Sequence, residues 1–203
     1  MANKNTNPSE QHNNPALSLA EPAALGLIGL AVAALVLGVT DLNLTSTTNK
    51  ALMVPWILCF GATTQLIAGL TEFKRNNIFG ATVFSVYSMT MFAIAFTLII
   101  TKFFTVSIDL LHYGYGLVAI LIFSIISTIA SLMTNKALFA ILIAVDLAVL
   151  SLIPHYFYGV TTIPAGVFLV LTSLLSFYTA TAILLNTMAG KTILPVGKPL
   201  WKP

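Results

Sequence analysis

Apolar residues run almost unbroken through six stretches of the chain, and polar residues collect between them. The stretches are Ala23 to Leu42, Ala51 to Thr71, Ile78 to Thr101, Gly116 to Thr134, Ala137 to Ile153 and Ala165 to Leu185. A helix needs about 20 mainly apolar residues to cross a hydrocarbon core roughly 30 Å thick. The pattern therefore predicts six transmembrane helices. The runs are continuous rather than alternating, which excludes a membrane β-barrel. The fold class is all-α, a polytopic membrane protein. The fifth stretch is the shortest, and Pro154 is expected to mark its end. The tight Thr134-Asn135-Lys136 turn makes the fourth and fifth helices antiparallel neighbours.

The segments between these runs set the organisation. Residues 1–21, rich in Asn, Ser, Pro and Glu, lack the basic and then apolar order of a signal peptide and are expected to form a flexible cytosolic tail. A six-helix domain over 22–188 and a cytosolic C-terminal tail over 189–203 follow. Positive loop charges mark the cytosolic side. One side holds Lys4, Lys74, Arg75, Lys136, Lys191, Lys198 and Lys202, and the other holds Lys50 and Lys102. Both termini are thus expected in the cytosol, as an even number of spans requires of termini on one side. The expected location is the cell (plasma) membrane.

Composition closes off other classes. Only 7% of the 203 residues are charged and 58% are hydrophobic, whereas a soluble domain carries about 25% charged residues. The same figures exclude disorder over most of the length. The net charge of +3 comes from single, scattered basic residues, so nucleic acid is not an expected partner. Cys59 is the one cysteine, which rules out an intrachain disulfide. There is no nucleophile triad, phosphate loop or zinc spacing, and His12, His112 and His155 fall in different tails or loops. No enzyme activity, cofactor or metal is expected.

Polar residues inside the spans are the candidate chemistry. Asp146 sits near the middle of the fifth span; a carboxyl group at that depth marks a pathway, a proton site or a hydrogen-bonded seam. On the second span Gly61, Gln65, Ala68 and Glu72 share one face, with Glu72 expected in an interfacial ion pair beside Lys74 and Arg75. On the sixth, Thr172, Ser176, Thr179 and Asn186 form a stripe that suits either a wet path or a helix seam. The first span carries small residues at Gly29, Ala33, Ala34 and Gly38, a spacing that favours close packing. Its start at Pro22 leaves the N–H groups of Ala23, Ala24 and Leu25 as an anion site or as a plain helix start capped by Glu21.

Four stretches in order resemble one family. Glu21-Pro22-Ala23-Ala24-Leu25-Gly26-Leu27 resembles the Asn-Pro-Ala-Pro-Leu-Gly-Leu signature of the acetate uptake transporter, or succinate–acetate permease, family. The stretch from Gln65 to Glu72, the stretch from Asn77 to Thr82 leading to Tyr87, and the stretch from Gly190 to Gly197 agree as well. The resemblance implies a homo-hexamer with one path per subunit for acetate, related short monocarboxylates and succinate. It implies a constriction whose Tyr falls on Tyr87, whose Leu falls on Leu147, with Val145 the alternative, and whose Phe is replaced by Leu30. Pro22, Ala23, Leu25, Gly26, Gln65, Asn77, Thr179 and Asn186 are the candidate path residues. Glu21 and Ala24 depart from the signature, and Asp146 stands where the family has a small or hydroxylic residue.

The leading expectation is thus a channel or transporter for acetate, proton-coupled in one version with Asp146 or Glu21 as carrier. No Lys or Arg lies deep in a span, so selectivity would rest on hydroxyls, amides, helix-end N–H groups and an apolar gate. Two alternatives stand beside it: a hexameric channel for urea or an amide, and a membrane partner protein with no solute path.

Overall fold

The computed structural model describes residues 19–45, 51–103 and 109–202. The expected N-terminal tail lies mostly outside the described residues, as do Lys4, His12 and Lys50. Six helices follow in order: α1 (Ala23–Asp41), α2 (Met53–Lys74), α3 (Ile78–Phe103), α4 (Leu111–Ser131), α5 (Lys136–Tyr158) and α6 (Ile163–Ala189). All six are long and apolar enough to cross a membrane, and there is no strand among the described residues. The all-α, six-span expectation holds.

Two boundaries differ most from the sequence expectation. Helix α5 runs through Pro154 to Tyr158, because a proline removes one backbone donor without always ending a helix. Its stop is Gly159, at φ 66°, where the left-handed conformation closes the last turn. Helix α4 begins at Leu111 rather than Gly116, with the Leu111 N–H donating to Asp109 Oδ1 at 2.9 Å.

Helix α2 contains a π-helical segment, Ile57–Thr64. A π turn shifts the backbone register and leaves carbonyls to be satisfied otherwise. Side chains do this: Gln65 Nε2 donates to the Gly61 carbonyl at 2.7 Å, and Thr63 Oγ1 to the Leu58 carbonyl at 2.7 Å.

Small residues set the packing. A Cβ on Gly38 of α1 would sit 3.1 Å from the Gly166 carbonyl of α6, and one on Gly166 would sit 2.9 Å from the Gly38 carbonyl. The two backbones approach closely here because neither residue has a side chain. Ser173 Oγ of α6 donates to the Ala31 carbonyl of α1 at 2.7 Å, and Ser88 Oγ of α3 to the Ala62 carbonyl of α2 at 2.8 Å. Helix α4 packs mainly on α5. Gln65, Glu72, Ser124, Thr172 and Thr179 are buried, while Ile67, Phe73, Ile126, Leu150 and Leu174 face outward. Polar groups inside and apolar groups outside suit a bilayer as solvent.

The helices alternate in direction, so both described ends of the chain lie at one end of the bundle. The C-terminal segment is strapped there: Ala137 N–H donates to the Val196 carbonyl at 3.0 Å and Leu200 N–H to the Leu132 carbonyl at 2.9 Å. Asn186 holds it too, donating to the Leu194 carbonyl and accepting from the N–H groups of Ile193 and Leu194.

Candidate functional site

Helices α1, α2, α3 and α5 line two cavities stacked along the bundle, and α4 and α6 also border the larger one. The one at the end holding the termini measures about 60 Å³ and is lined by Ala23, Gln65, Glu72, Asn77 and Leu138 among others. The one toward the opposite end measures about 140 Å³ and reaches Thr40, Asp41, Tyr113 and Tyr156. Leu30 and Tyr87 line both. They are 6% and 4% exposed, so these two side chains form the partition between the cavities. Helix α5 completes it with two residues a turn apart, Leu142 on the first cavity and Val145 on the second.

Tyr87 is held from behind. Its hydroxyl lies 2.7 Å from Ser124 Oγ on α4, and its ring meets Phe123 edge-on at 5.7 Å between centroids. Ser124 donates in turn to Asp146 Oδ1, and Thr128 Oγ1 donates to Asp146 Oδ2 at 2.7 Å. Both carboxyl oxygens of Asp146 are thereby engaged, and the residue lines neither cavity.

The smaller cavity is rich in acceptors. Gln65 Nε2 donates to the Gly61 carbonyl, while Gln65 Oε1 is buried without a partner, as is Glu72 Oε2. Asn77 lies beside Glu72 at this cavity and accepts from the Gly80 N–H at 3.2 Å.

At the start of α1, Pro22 is buried and its carbonyl accepts from Gly26 N–H at 3.1 Å. Glu21 Oε1 accepts from Ala23 N–H at 3.3 Å, which is the capped helix start, and Glu21 Oε2 pairs with Arg75 at 2.7 Å. The carboxylate holds the Arg75 guanidinium above its ordinary range. The ion pair expected at Glu72 is thus formed by Glu21 instead. Glu72 is 1% exposed, turned into the bundle by the same face that buries Gln65 and Ala68.

No Lys or Arg lines either cavity. The arrangement has the parts of a narrow path with two vestibules, an apolar and aromatic partition, and amide and hydroxyl groups at hand.

The comparisons with known proteins agree with this architecture. The sequence profile of the GPR1/FUN34/yaaH family matches residues 3–198. The chain belongs to that family. This bears out the resemblance drawn from the four motifs. Acetate permease A of Emericella nidulans is 28% identical over 93% of this chain and 69% of its own length. The solved structure of the bacterial acetate channel SatP superposes with a TM-score of 0.81 at 24% identity, covering 88% of this chain and 99% of that one.

Within this fold the sequence-derived site residues divide. Leu30, Tyr87, Ala23, Gln65 and Asn77 border the cavities, whereas Pro22 and Gly26 are buried and line neither. Leu147 does not: it is 37% exposed on the outer face, and Val145, 7% exposed, stands in the partition. Two residues along a helix are a rotation of roughly 200°, so one face excludes the other. Leu25 is 39% exposed and also points outward. Thr179 donates to the Leu175 carbonyl at 2.8 Å and lines neither cavity. Asn186 is the clasp of the C-terminal strap. The stripe on α6 is therefore mostly seam, with Thr172 alone of its four residues reaching the larger cavity. Leu142, Ser124 and Thr128 are additions that the sequence did not single out. The hydroxyls at i and i+4 on one span, with a carboxyl group in the middle of the next, were the available signal for the last two.

Proposed function

We propose that the chain carries acetate and related short monocarboxylates, with succinate a further candidate, through its own bundle past Leu30 and Tyr87. The observation that carries this reading is the pair of cavities sharing those two side chains, in a family whose relatives are named an acetate permease and an acetate channel. The proposal places both termini in the cytosol of a plasma-membrane protein, with Lys74, Arg75, Lys136, Lys191, Lys198 and Lys202 at that end and Lys102 at the other. It includes a homo-hexamer, to be tested by native mass spectrometry, and no catalytic step.

A passive channel is favoured over proton symport carried by Asp146 or Glu21. Glu21 is engaged by Arg75, Asp146 by Ser124 and Thr128, and neither lines a cavity. With no fixed cation in the path, a tightly bound anion intermediate has no counter-charge, which suits conduction. Uptake of labelled acetate into proteoliposomes, with and without a pH gradient, tests the reading. Uptake in both conditions is expected. Uptake only with the gradient restores the symport version, and no uptake in either removes the function. Urea added in excess is expected to leave acetate uptake unchanged; competition would favour the neutral-solute channel.

A further inference from the structure

Asp146 lies outside both cavities, yet it is joined to the partition by two hydrogen bonds. Thr128 and Ser124, one turn apart on α4, both direct hydroxyl protons at its carboxyl group. Ser124 has one proton and gives it to Asp146, so its oxygen can only accept from Tyr87. The polarity of the chain is then fixed: Tyr87 donates to Ser124, and Ser124 donates to Asp146. Ser124 is fully buried and Tyr87 nearly so, and an unpaired buried hydroxyl is strongly disfavoured. The Tyr87 ring turns about two side-chain torsions, and its far end is pinned by this chain. Without the carboxyl group, the Ser124 proton can turn back to a carbonyl of its own helix, and the phenol loses its specified partner.

We propose that Asp146 is a positioning residue for size selectivity: acting through Ser124, it fixes the Tyr87 phenol at the partition and so sets which carboxylates pass. The proposal rests on the reading that solute passes Tyr87. It gives the half-buried carboxyl group a role other than proton carriage.

The test measures initial uptake of acetate and of butyrate in proteoliposomes and takes their ratio. Asp146→Ala and Ser124→Ala are each expected to lower the acetate-to-butyrate ratio by about fivefold, the effect of roughly one hydrogen bond on a rotamer equilibrium. Tyr87→Phe is expected to do the same. Asp146→Ala made in the Tyr87→Phe background is expected to add no further change, since the pathway is already cut. Asp146→Asn keeps one acceptor and is expected to retain most of the selectivity; if Asp146→Ala fails to fold, Asp146→Asn and Ser124→Ala carry the test. A ratio unchanged in all the variants, with both rates falling together, would show a purely structural role and overturn the proposal. An equal effect of Asp146→Ala with and without the Tyr87 hydroxyl would also overturn it. Wild-type protein that takes up neither solute would instead overturn the transport reading itself.

Discussion

The Glu21–Arg75 pair gives the sharpest electrostatic prediction. The two side chains meet at 2.7 Å and are about one-third exposed, so the pair itself adds only about 0–1 kcal/mol of stability. Its weight falls on the solute. Arg75→Gln leaves the Glu21 carboxylate uncompensated beside the mouth of the smaller cavity. For an anion passing at roughly 6–8 Å, in an effective dielectric of about 40–80, the added repulsion is about 0.5–1.4 kcal/mol. That corresponds to about a two- to tenfold slower approach. Acetate uptake by Arg75→Gln proteoliposomes at neutral pH is therefore expected to fall by this factor in about 10 mM salt. The gap should shrink at about 150 mM and nearly vanish near 1 M, as the screening length drops from about 30 Å to about 3 Å. Glu21→Gln in the same chain should restore the rate, with little change in melting temperature throughout. A loss that ignores salt, or that Glu21→Gln does not rescue, would refute the electrostatic reasoning and point to a distorted helix start.

Three other perturbations follow from the packing and the site. Gly166→Leu places a Cβ 2.8 Å from the Leu42 backbone nitrogen and 2.9 Å from the Gly38 carbonyl, so a destabilisation of about 1–3 kcal/mol or more is expected, seen as a lowered melting temperature in detergent; an unchanged value contradicts the close α1–α6 contact. Asn186→Ala removes three hydrogen bonds from the C-terminal strap, so amide exchange at Ile193 and Leu194 should accelerate while the rest of the bundle keeps its protection. Val145→Phe fills the partition from α5 and should slow butyrate more than acetate; equal slowing would argue that the partition does not select by size.

The six spans and their packing were legible because they rest on local properties: run length, the absence of charge, and glycines at helix-repeat spacing. The placement of Gln65 was legible because motif and helical face agree, and that of Leu30 and Tyr87 through the family resemblance alone. Three features were not. The partner of Arg75 is Glu21, more than fifty positions away, and the nearer Glu72 drew the pairing toward itself by proximity along the chain. The choice between Val145 and Leu147 depends on the turn before α5, and two positions of register reverse the face. The π segment in α2 has no distinguishing composition, yet it decides which way the Gln65 amide points. Asp146 was visible as an anomaly, but its partners lie on another helix and only the fold names them.

The central claim is that acetate passes through the bundle between Leu30 and Tyr87, and one comparison tests it directly: acetate uptake by Leu30→Trp against Leu147→Trp in proteoliposomes. The larger ring at Leu30 is expected to close the partition and abolish uptake, while the same ring at Leu147, on the outer face, leaves it near wild type. Uptake that survives Leu30→Trp in folded protein, or that is lost only with Leu147→Trp, would place the path elsewhere.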